Sequence, residues 1–230
     1  MMDASHPYSA LTPDCALDAL DSTGLRADGR LLALNSYENR VYQMGLEEAA
    51  PDAPSAGGPG AAPVVVKFYR PERWTDAAIL EEHAYTIELA AREIPVVAPL
   101  VLNGATLHVH AGFRFAVYPK QGGRMPEFDR ADTLQWMGRF LGRIHAVGAQ
   151  AKFAQRPALT LETFGTASRD FLRDGNWLPS DLVAAWDSVV EHALASVAIC
   201  YARAGAVQAI RLHGDCHAGN VLWTESGPHF

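Results

Sequence analysis

The chain has 230 residues, of which 49% are hydrophobic and 20% charged, and its net charge at pH 7 is -7. A chain of this length and composition can bury a core without disulfides or a structural metal, which excludes a largely disordered protein. The negative charge argues against the basic surface that nucleic-acid binding requires. The longest mainly apolar run, residues 193–202, is about half as long as a membrane span, so no membrane partner is expected.

The N-terminal residues contain no basic region followed by an apolar one, so no signal peptide is predicted. The three cysteines, Cys15, Cys200 and Cys216, are odd in number and widely spaced. This usage is typical of a reduced compartment. We therefore expect a cytoplasmic protein, and we expect it to be a monomer.

The first half of the chain has the pattern of short strands around one helix. Strands are predicted at 31–34 and 40–45, 64–69 and 113–118, and a helix at 75–92. The first two strands flank a polar turn and should form a hairpin. Asn103-Gly104 predicts a second tight turn.

The second half is predicted to be helical, with helices at 133–149 and 180–203 and Ser180 as an N-cap. The segment 47–63 is rich in Pro, Gly and Ala and predicts a flexible loop. Two glycines and two prolines in 119–126 predict a hinge. The expected organisation is an α+β chain with a β-rich lobe at 1–118, the linker at 119–126 and a helical lobe at 127–230.

The most informative motif is the stretch HGDCHAGN at 213–220. His213, Asp215 and Asn220 have the spacing H-x-D-x-x-x-x-N of phosphotransfer loops. An aspartate in this position can accept a proton from an acceptor hydroxyl, and the asparagine oxygen can bind Mg²⁺. The motif therefore predicts a phosphotransferase that uses ATP and Mg²⁺.

A phosphotransferase also needs a cation close to the triphosphate. The chain has three lysines, and only Lys67 lies within a hydrophobic strand. Its ammonium group must emerge toward an anionic group. Glu81, Glu82 and Glu88 on the following predicted helix are the candidate carboxylate partners, as in the lysine and glutamate arrangement of kinases.

Three stretches together resemble the stress response kinase A family: LNSYENRVYQ, VVKFYRPERW with ILEEH, and RLHGDCHAGNVLW. They occur in order between residues 34 and 223. The resemblance implies a protein-kinase-like two-lobe fold, with a small antiparallel sheet in a nucleotide-binding lobe and a helical catalytic lobe. It also implies ATP- and Mg²⁺-dependent phosphorylation of Ser and Thr hydroxyls on a protein substrate, in the stress response.

The resemblance also implies roles for individual residues. Asp215 would be the catalytic proton acceptor, and Asn220 would bind the metal. The other implied roles concern ATP. Ser36 in the first hairpin loop would contact the nucleotide, and Lys67, paired with Glu82, would bind its phosphates. Val117 and Tyr118 would lie in a hinge strand that faces the adenine.

One feature of that family is missing from the sequence. A second metal-binding aspartate is expected on the strand after Asn220, at a position beyond Phe230. The chain is therefore expected to be C-terminally truncated relative to the family, and little or no catalysis is expected from residues 1–230 alone.

Three alternatives remain open at this stage. A small-molecule phosphotransferase of the aminoglycoside, choline or homoserine type would have the same loop motif. A nucleotide-binding fragment without catalytic activity is the second alternative. The third is a transition-metal site built from the following residues: His213, Cys216, His217 and His229.

Overall fold

A computed structural model describes residues 6–50 and 61–230. Its helices are α1 (Pro13–Asp21), α2 (Asp76–Ala91), α3 (Ala131–Gly148), α4 (Ala167–Asp174) and α5 (Val183–Ala204). Its strands are β1 (Ala27–Leu34), β2 (Arg40–Leu46), β3 (Val64–Phe68), β4 (His108–His110), β5 (Phe113–Pro119), β6 (Leu222–Thr224) and β7 (Gly227–His229). Most of the loop predicted at 47–63 falls on residues 51–60, which lie outside the described residues.

The first hairpin is present as predicted. Strands β1 and β2 pair antiparallel, with Leu34 opposite Val41 and Leu31 opposite Met44. The five-stranded antiparallel sheet has the order β1-β2-β3-β5-β4, and β6 and β7 form a separate two-stranded sheet. The short connection between β1 and β2 explains their pairing as a hairpin, whereas β2 and β3 pair although residues 47–63 separate them in the sequence.

Strand β3 lies in the middle of the sheet and has a clean alternation of burial. Val64, Val66 and Phe68 are fully buried, whereas Lys67 is half-buried on the other face. Side chains alternate between the two faces of a strand, so the apolar residues fill the core while the lysine leaves it. This alternation places one ammonium group at the centre of the sheet.

Helix α2 starts and ends close to the predicted bounds. Thr75 is its N-cap, and the Thr75 hydroxyl accepts a hydrogen bond of 3.2 Å from the backbone N–H of Ala78. Such a cap satisfies one of the amides that the first helical turn leaves without an intrahelical partner. Ile79 of this helix packs in a small buried cluster with Tyr69 and Ala116 of the sheet.

Helix α1 was not predicted from the sequence. Thr12 caps it by accepting a hydrogen bond of 3.1 Å from Cys15 N–H, and Pro13 occupies its first turn. Leu20 at its other end is fully buried against the sheet core. A capping residue followed by proline is a known helix start, so the signal was present in the sequence.

Helix α5 begins at Val183, three residues after the predicted start, and Ser180 is not its cap. The residue at the N-cap position, Leu182, makes no side-chain capping bond. The helix has 22 residues with a mean hydropathy of 1.3 over its best window, which is long and apolar enough to span a membrane. The apolar run at 193–202 lies within this helix. Length and composition do not assign the helix to a membrane, because core helices also have these properties.

The described residues divide into two compact units. One unit contains residues 1–147 and 212–230, and the other contains residues 148–211. In the first unit, the Tyr85 hydroxyl of α2 donates a 3.0 Å hydrogen bond to the Ile144 carbonyl of α3. Helix α3 up to Val147 and the segment carrying the HGDCHAGN motif belong to the same compact unit as the sheet.

The predicted linker is hydrogen-bonded to the strand that follows the motif. Arg124 N–H donates to the Trp223 carbonyl at 3.0 Å, and Trp223 N–H donates to the Arg124 carbonyl at 2.6 Å. Next to this bridge, Gly123 lies so close to Leu222 that an added Cβ would be 2.8 Å from the Leu222 Cβ. Only glycine allows the two backbones to approach this closely.

This packing predicts that Gly123→Ala lowers the free energy of unfolding by about 2 kcal/mol, because the new methyl group forces the two segments apart. Gly122→Ala is the matched control, since an added Cβ there meets nothing within 4 Å. Urea denaturation of both variants checks the prediction. Equal stability of the two variants would contradict it.

Candidate phosphotransfer site

The motif loop brings Asp215 and Asn220 into direct contact. The Asn220 Nδ2 donates hydrogen bonds to the Asp215 carbonyl at 2.9 Å and to the Asp215 Oδ2 at 2.8 Å. These bonds fix which way the amide points. The amide oxygen of Asn220 is therefore the atom that can serve a cation.

The carboxylate of Asp215 is accessible from solution, since its side chain is 77% exposed. Gly214, immediately before it, has a backbone φ of +84°, a conformation that other residues adopt at a cost. The chain turns at this glycine and presents the carboxylate on the surface of the loop. A carboxylate in this setting can accept a proton from a bound hydroxyl.

Two histidines hold the loop in shape. The His213 Nδ1 accepts a hydrogen bond from Asp215 N–H at 3.3 Å, and the His217 Nδ1 accepts one from Gly219 N–H at 3.1 Å. Each ring uses its Nδ1 as an acceptor, which places its proton on Nε2. Desolvation lowers the pKa of His213, so the neutral ring that this bond requires is favoured.

The transition-metal alternative does not fit this arrangement. Within residues 6–50 and 61–230, no group of three or more His, Cys, Asp or Glu side chains is placed to hold a metal. Desolvation and the charge of Asp215 raise the pKa of the Cys216 thiol, which disfavours the thiolate that zinc requires. The histidines of the loop therefore have a structural explanation.

The strand lysine has the carboxylate partner that the resemblance favoured. Lys67 Nζ lies 3.3 Å from Glu82 Oε1 on α2, and both side chains are half-buried. Glu88, another of the three candidates, lies 3.0 Å from Arg92, the C-cap residue of α2. The ion pair joins the central strand to α2 and holds the ammonium group in a defined position.

A buried network that the sequence analysis missed lies next to this ion pair. The Tyr69 hydroxyl is 2.7 Å from His83 Nε2 and 3.1 Å from the Tyr118 hydroxyl, and His83 Nδ1 is 2.9 Å from the Thr106 hydroxyl. His83 is only 2% exposed. Its burial, followed by the charge of Lys67, lowers its pKa from 6.5 to about 4. One signal was available: Tyr69 is two residues after Lys67 and shares its face of the strand.

Three more residues were predicted to contact ATP, and two of them, Ser36 and Tyr118, have partly exposed side chains. Ser36 lies half-buried in the turn between β1 and β2. Tyr118 is also half-buried, beside the network described above.

Val117, the other residue predicted to face the adenine, lies deeper in the sheet. Its side chain is fully buried in the sheet core, and its carbonyl accepts a hydrogen bond of 2.8 Å from Leu100 N–H. Val117 is buried because β5 is covered on both faces along 115–117, where its residues contact protein on each side. Of the two hinge-strand residues that were predicted, only Tyr118 has a partly exposed side chain.

A cavity of about 150 Å³ lies beside the linker, and it is separate from these groups. Its lining consists of the following residues: Arg124, Glu127, Arg130, Asp132, Thr133 and Trp223. The site residues predicted from the sequence do not line it. Both the Lys67–Glu82 pair and the Asp215–Asn220 pair nevertheless belong to the same compact unit, residues 1–147 with 212–230.

Comparison with known proteins supports the resemblance seen in the sequence. A model described as "Phosphotransferase enzyme family" matches residues 31–230. The chain is 43% identical to a stress response kinase A from Shigella flexneri and 42% identical to one from Escherichia coli K12. It is 40% identical to a serine/threonine protein kinase RdoA from Salmonella typhimurium. Each match covers the whole chain and 66% of the relative, so the chain spans about two thirds of their length.

Solved structures show the same fold at low identity. A microcompartment-associated aminopropanol kinase matches with a TM-score of 0.69 at 16% identity, over 95% of this chain and 68% of that one. Amicoumacin kinase hAmiN, in complex with AMP-PNP and Ca²⁺, matches with a TM-score of 0.65 at 19% identity, over 88% and 57%. The expected α+β, protein-kinase-like fold is thereby confirmed.

The burial of His83 predicts a pH-dependent stability. The unfolded chain binds a proton on His83 below pH 6.5, whereas the folded chain binds it only below about 4. The unfolded state therefore holds more protons between these values, and stability falls as the pH is lowered from 6.5 to 4. The expected loss from this residue is about 3 kcal/mol.

Urea denaturation at several pH values checks this prediction in the parent chain and in His83→Gln. In the variant, the free energy of unfolding should fall much less between pH 6.5 and 4. The smaller fall that remains is expected from His108 and His213, whose pKa values burial also lowers. His145→Gln, which changes an exposed histidine, is the control and should keep the full decline. An identical pH dependence in His83→Gln would refute the assignment.

Proposed function

Because the chain belongs to the phosphotransferase enzyme family, we propose that it transfers the γ-phosphoryl group of ATP to a hydroxyl group. The observation that carries this proposal is the hydrogen-bonded pair of Asp215 and Asn220, in the compact unit that also holds the Lys67–Glu82 ion pair. A proton acceptor, a cation ligand and a phosphate-binding amine are the groups that phosphoryl transfer requires.

In the proposed reaction, Asp215 orients the acceptor hydroxyl and accepts its proton. The acceptor oxygen forms a bond to the γ-phosphorus, and the bond from that phosphorus to the bridging oxygen of ATP breaks, so that ADP leaves. The ammonium group of Lys67 binds phosphate oxygens and stabilises the negative charge on them. Glu82 keeps the amine on the strand face from which it reaches the nucleotide.

The residues of the loop fit a hard divalent cation such as Mg²⁺. Oxygen ligands suit this ion, and the bonds from Asn220 Nδ2 to Asp215 turn the amide oxygen of Asn220 toward a ligand role. When bound, the cation would neutralise charge on the phosphate oxygens. The loop supplies this ligand whether or not a nucleotide is present, because the amide is already oriented.

We further propose that the acceptor is a Ser or Thr hydroxyl of a protein, in a cytoplasmic stress response. The name of the relative at 40% identity, a serine/threonine protein kinase, supports a protein acceptor, and the name of the relative at 43% identity supports a stress response. Three free cysteines support a reduced compartment. The small-molecule kinases among the solved structures are under 20% identical and share the fold alone.

The acceptor class can be tested with the protein expressed from its complete gene. Incubation with radiolabelled ATP should phosphorylate a generic protein such as casein on Ser or Thr and leave a panel of amino alcohols and aminoglycosides unlabelled. Transfer to a member of the panel alone would replace the protein acceptor with a small molecule. Transfer to neither class would contradict the proposed function.

Replacement of the proton acceptor predicts a specific loss. Asp215→Asn should lower kcat by about a thousandfold, because the amide cannot accept the proton, while the affinity for ATP changes little. Steady-state kinetics and nucleotide titration measure the two effects. A matching loss of ATP affinity would instead assign Asp215 to nucleotide binding.

The ion pair predicts a difference between two glutamates of one helix. Glu82→Gln should lower kcat/KM for ATP by about tenfold, because Lys67 loses the charge that holds it in place. Glu88→Gln is the matched control and should leave the kinetics unchanged, since Glu88 pairs with Arg92, the C-cap residue of α2. Equal kinetics of the two variants would argue that the Lys67–Glu82 pair has no catalytic role.

A further inference from the structure

We propose that Tyr69 is a positioning residue for Lys67. The face of its ring contacts the lysine ammonium group, and its hydroxyl is hydrogen-bonded to His83 and Tyr118. This inference rests on the proposed function, in which Lys67 binds the phosphates of ATP. It adds a second contact to the ion pair with Glu82 and assigns a role to a buried network.

The first observation is the contact between the ring and the amine. Lys67 Nζ lies 4.8 Å from the centroid of the Tyr69 ring. The two residues are two positions apart, and Tyr69 N–H donates a 2.9 Å hydrogen bond to the Arg114 carbonyl, so the strand pairing continues past the end of β3. Both side chains therefore leave the same face of the sheet. A cation above an aromatic ring at this distance is attracted to the ring.

The second observation is that the Tyr69 ring is anchored at its far end. Its hydroxyl lies 2.7 Å from His83 Nε2 and 3.1 Å from the Tyr118 hydroxyl. Tyr69 is 3% exposed and His83 is 2% exposed. Thr106 contacts the other ring nitrogen of His83 at 2.9 Å. A buried ring with these bonds has one position, so it offers the amine a fixed surface.

The network also couples the amine to helix α2. His83 follows Glu82 directly in the chain, so the bond from Tyr69 to His83 holds the segment of helix that carries the carboxylate. The low pKa of His83, about 4, keeps this ring neutral at physiological pH, so it adds no positive charge beside Lys67.

These contacts reduce the free energy needed to order the Lys67 side chain when a nucleotide binds. A lysine side chain has four rotatable bonds, and ordering it on binding costs free energy. Because Glu82 and the Tyr69 ring hold the amine beforehand, less ordering remains when the phosphates arrive. The benefit should appear for ligands that contain phosphates and not for adenosine.

The experiment measures the affinity of the 230-residue chain for Mg²⁺·ATP and for adenosine by calorimetric titration and competition. Tyr69→Leu removes the ring and should weaken Mg²⁺·ATP binding by about tenfold while leaving adenosine binding unchanged. Tyr69→Phe keeps the ring but loses its anchoring bonds, and should weaken Mg²⁺·ATP binding by about threefold. The phenylalanine variant keeps the test valid if the leucine variant does not fold.

Two controls separate positioning from a general effect on the fold. Tyr85→Phe removes another buried tyrosine hydroxyl, whose bond goes to the Ile144 carbonyl, and should leave both affinities unchanged. In a Lys67→Ala background, the Tyr69 variants should have no further effect, because the residue acts through the amine.

The outcomes distinguish this inference from the proposed function. If Lys67→Ala does not weaken Mg²⁺·ATP binding, the phosphate-binding role of Lys67 fails, and the inference fails with it. If Lys67→Ala weakens binding and the Tyr69 variants do not, only the inference is overturned. Equal losses for Mg²⁺·ATP and adenosine, or an undiminished loss in the Lys67→Ala background, would reduce Tyr69 to a structural residue.

Discussion

The alternation of side chains along β3 is the constraint from which the site follows. The same period that buries Val66 and Phe68 on one face places Lys67 on the other, at the centre of the sheet. A slip of one residue would bury the ammonium group and expose the core, which is why the register of this strand is strongly specified. Helix α2 packs on that face through Ile79 and supplies Glu82, so the same packing that covers the sheet also places the partner of the amine.

The motif loop orients its polar groups by hydrogen bonds while leaving them exposed to solvent. Asp215 is exposed, and its position depends on bonds from Asn220 and on the loop histidines. A hydrogen-bonded loop of this kind is arranged before the substrate arrives, and preorganised groups are the main source of electrostatic catalysis. The linker bridge between Arg124 and Trp223 fixes the strand that follows the loop.

Strands β1, β2, β3 and β5, helix α2 and the motif could be predicted from the sequence because their signals are local. A run of β-branched and aromatic residues identifies β3, Thr75 marks the start of α2, and the spacing of Asp215 and Asn220 identifies the loop. The depth of Val117 and the grouping of α3 with the sheet could not be predicted, because both depend on contacts between distant segments, such as that from Tyr85 to Ile144. The network around Tyr69 was missed for the same reason, since its four side chains come from separate parts of the chain.

The central claim is that Lys67 and Asn220 act on one metal-bound triphosphate, and paramagnetic NMR tests it most directly. In a sample with labelled lysine and asparagine side chains, Mn²⁺·ATP should broaden the Lys67 and Asn220 signals together, whereas Mg²⁺·ATP should leave both visible. The chain has only three lysines, so the Lys67 signal can be assigned by substitution. Broadening of one of the two signals without the other would contradict the account.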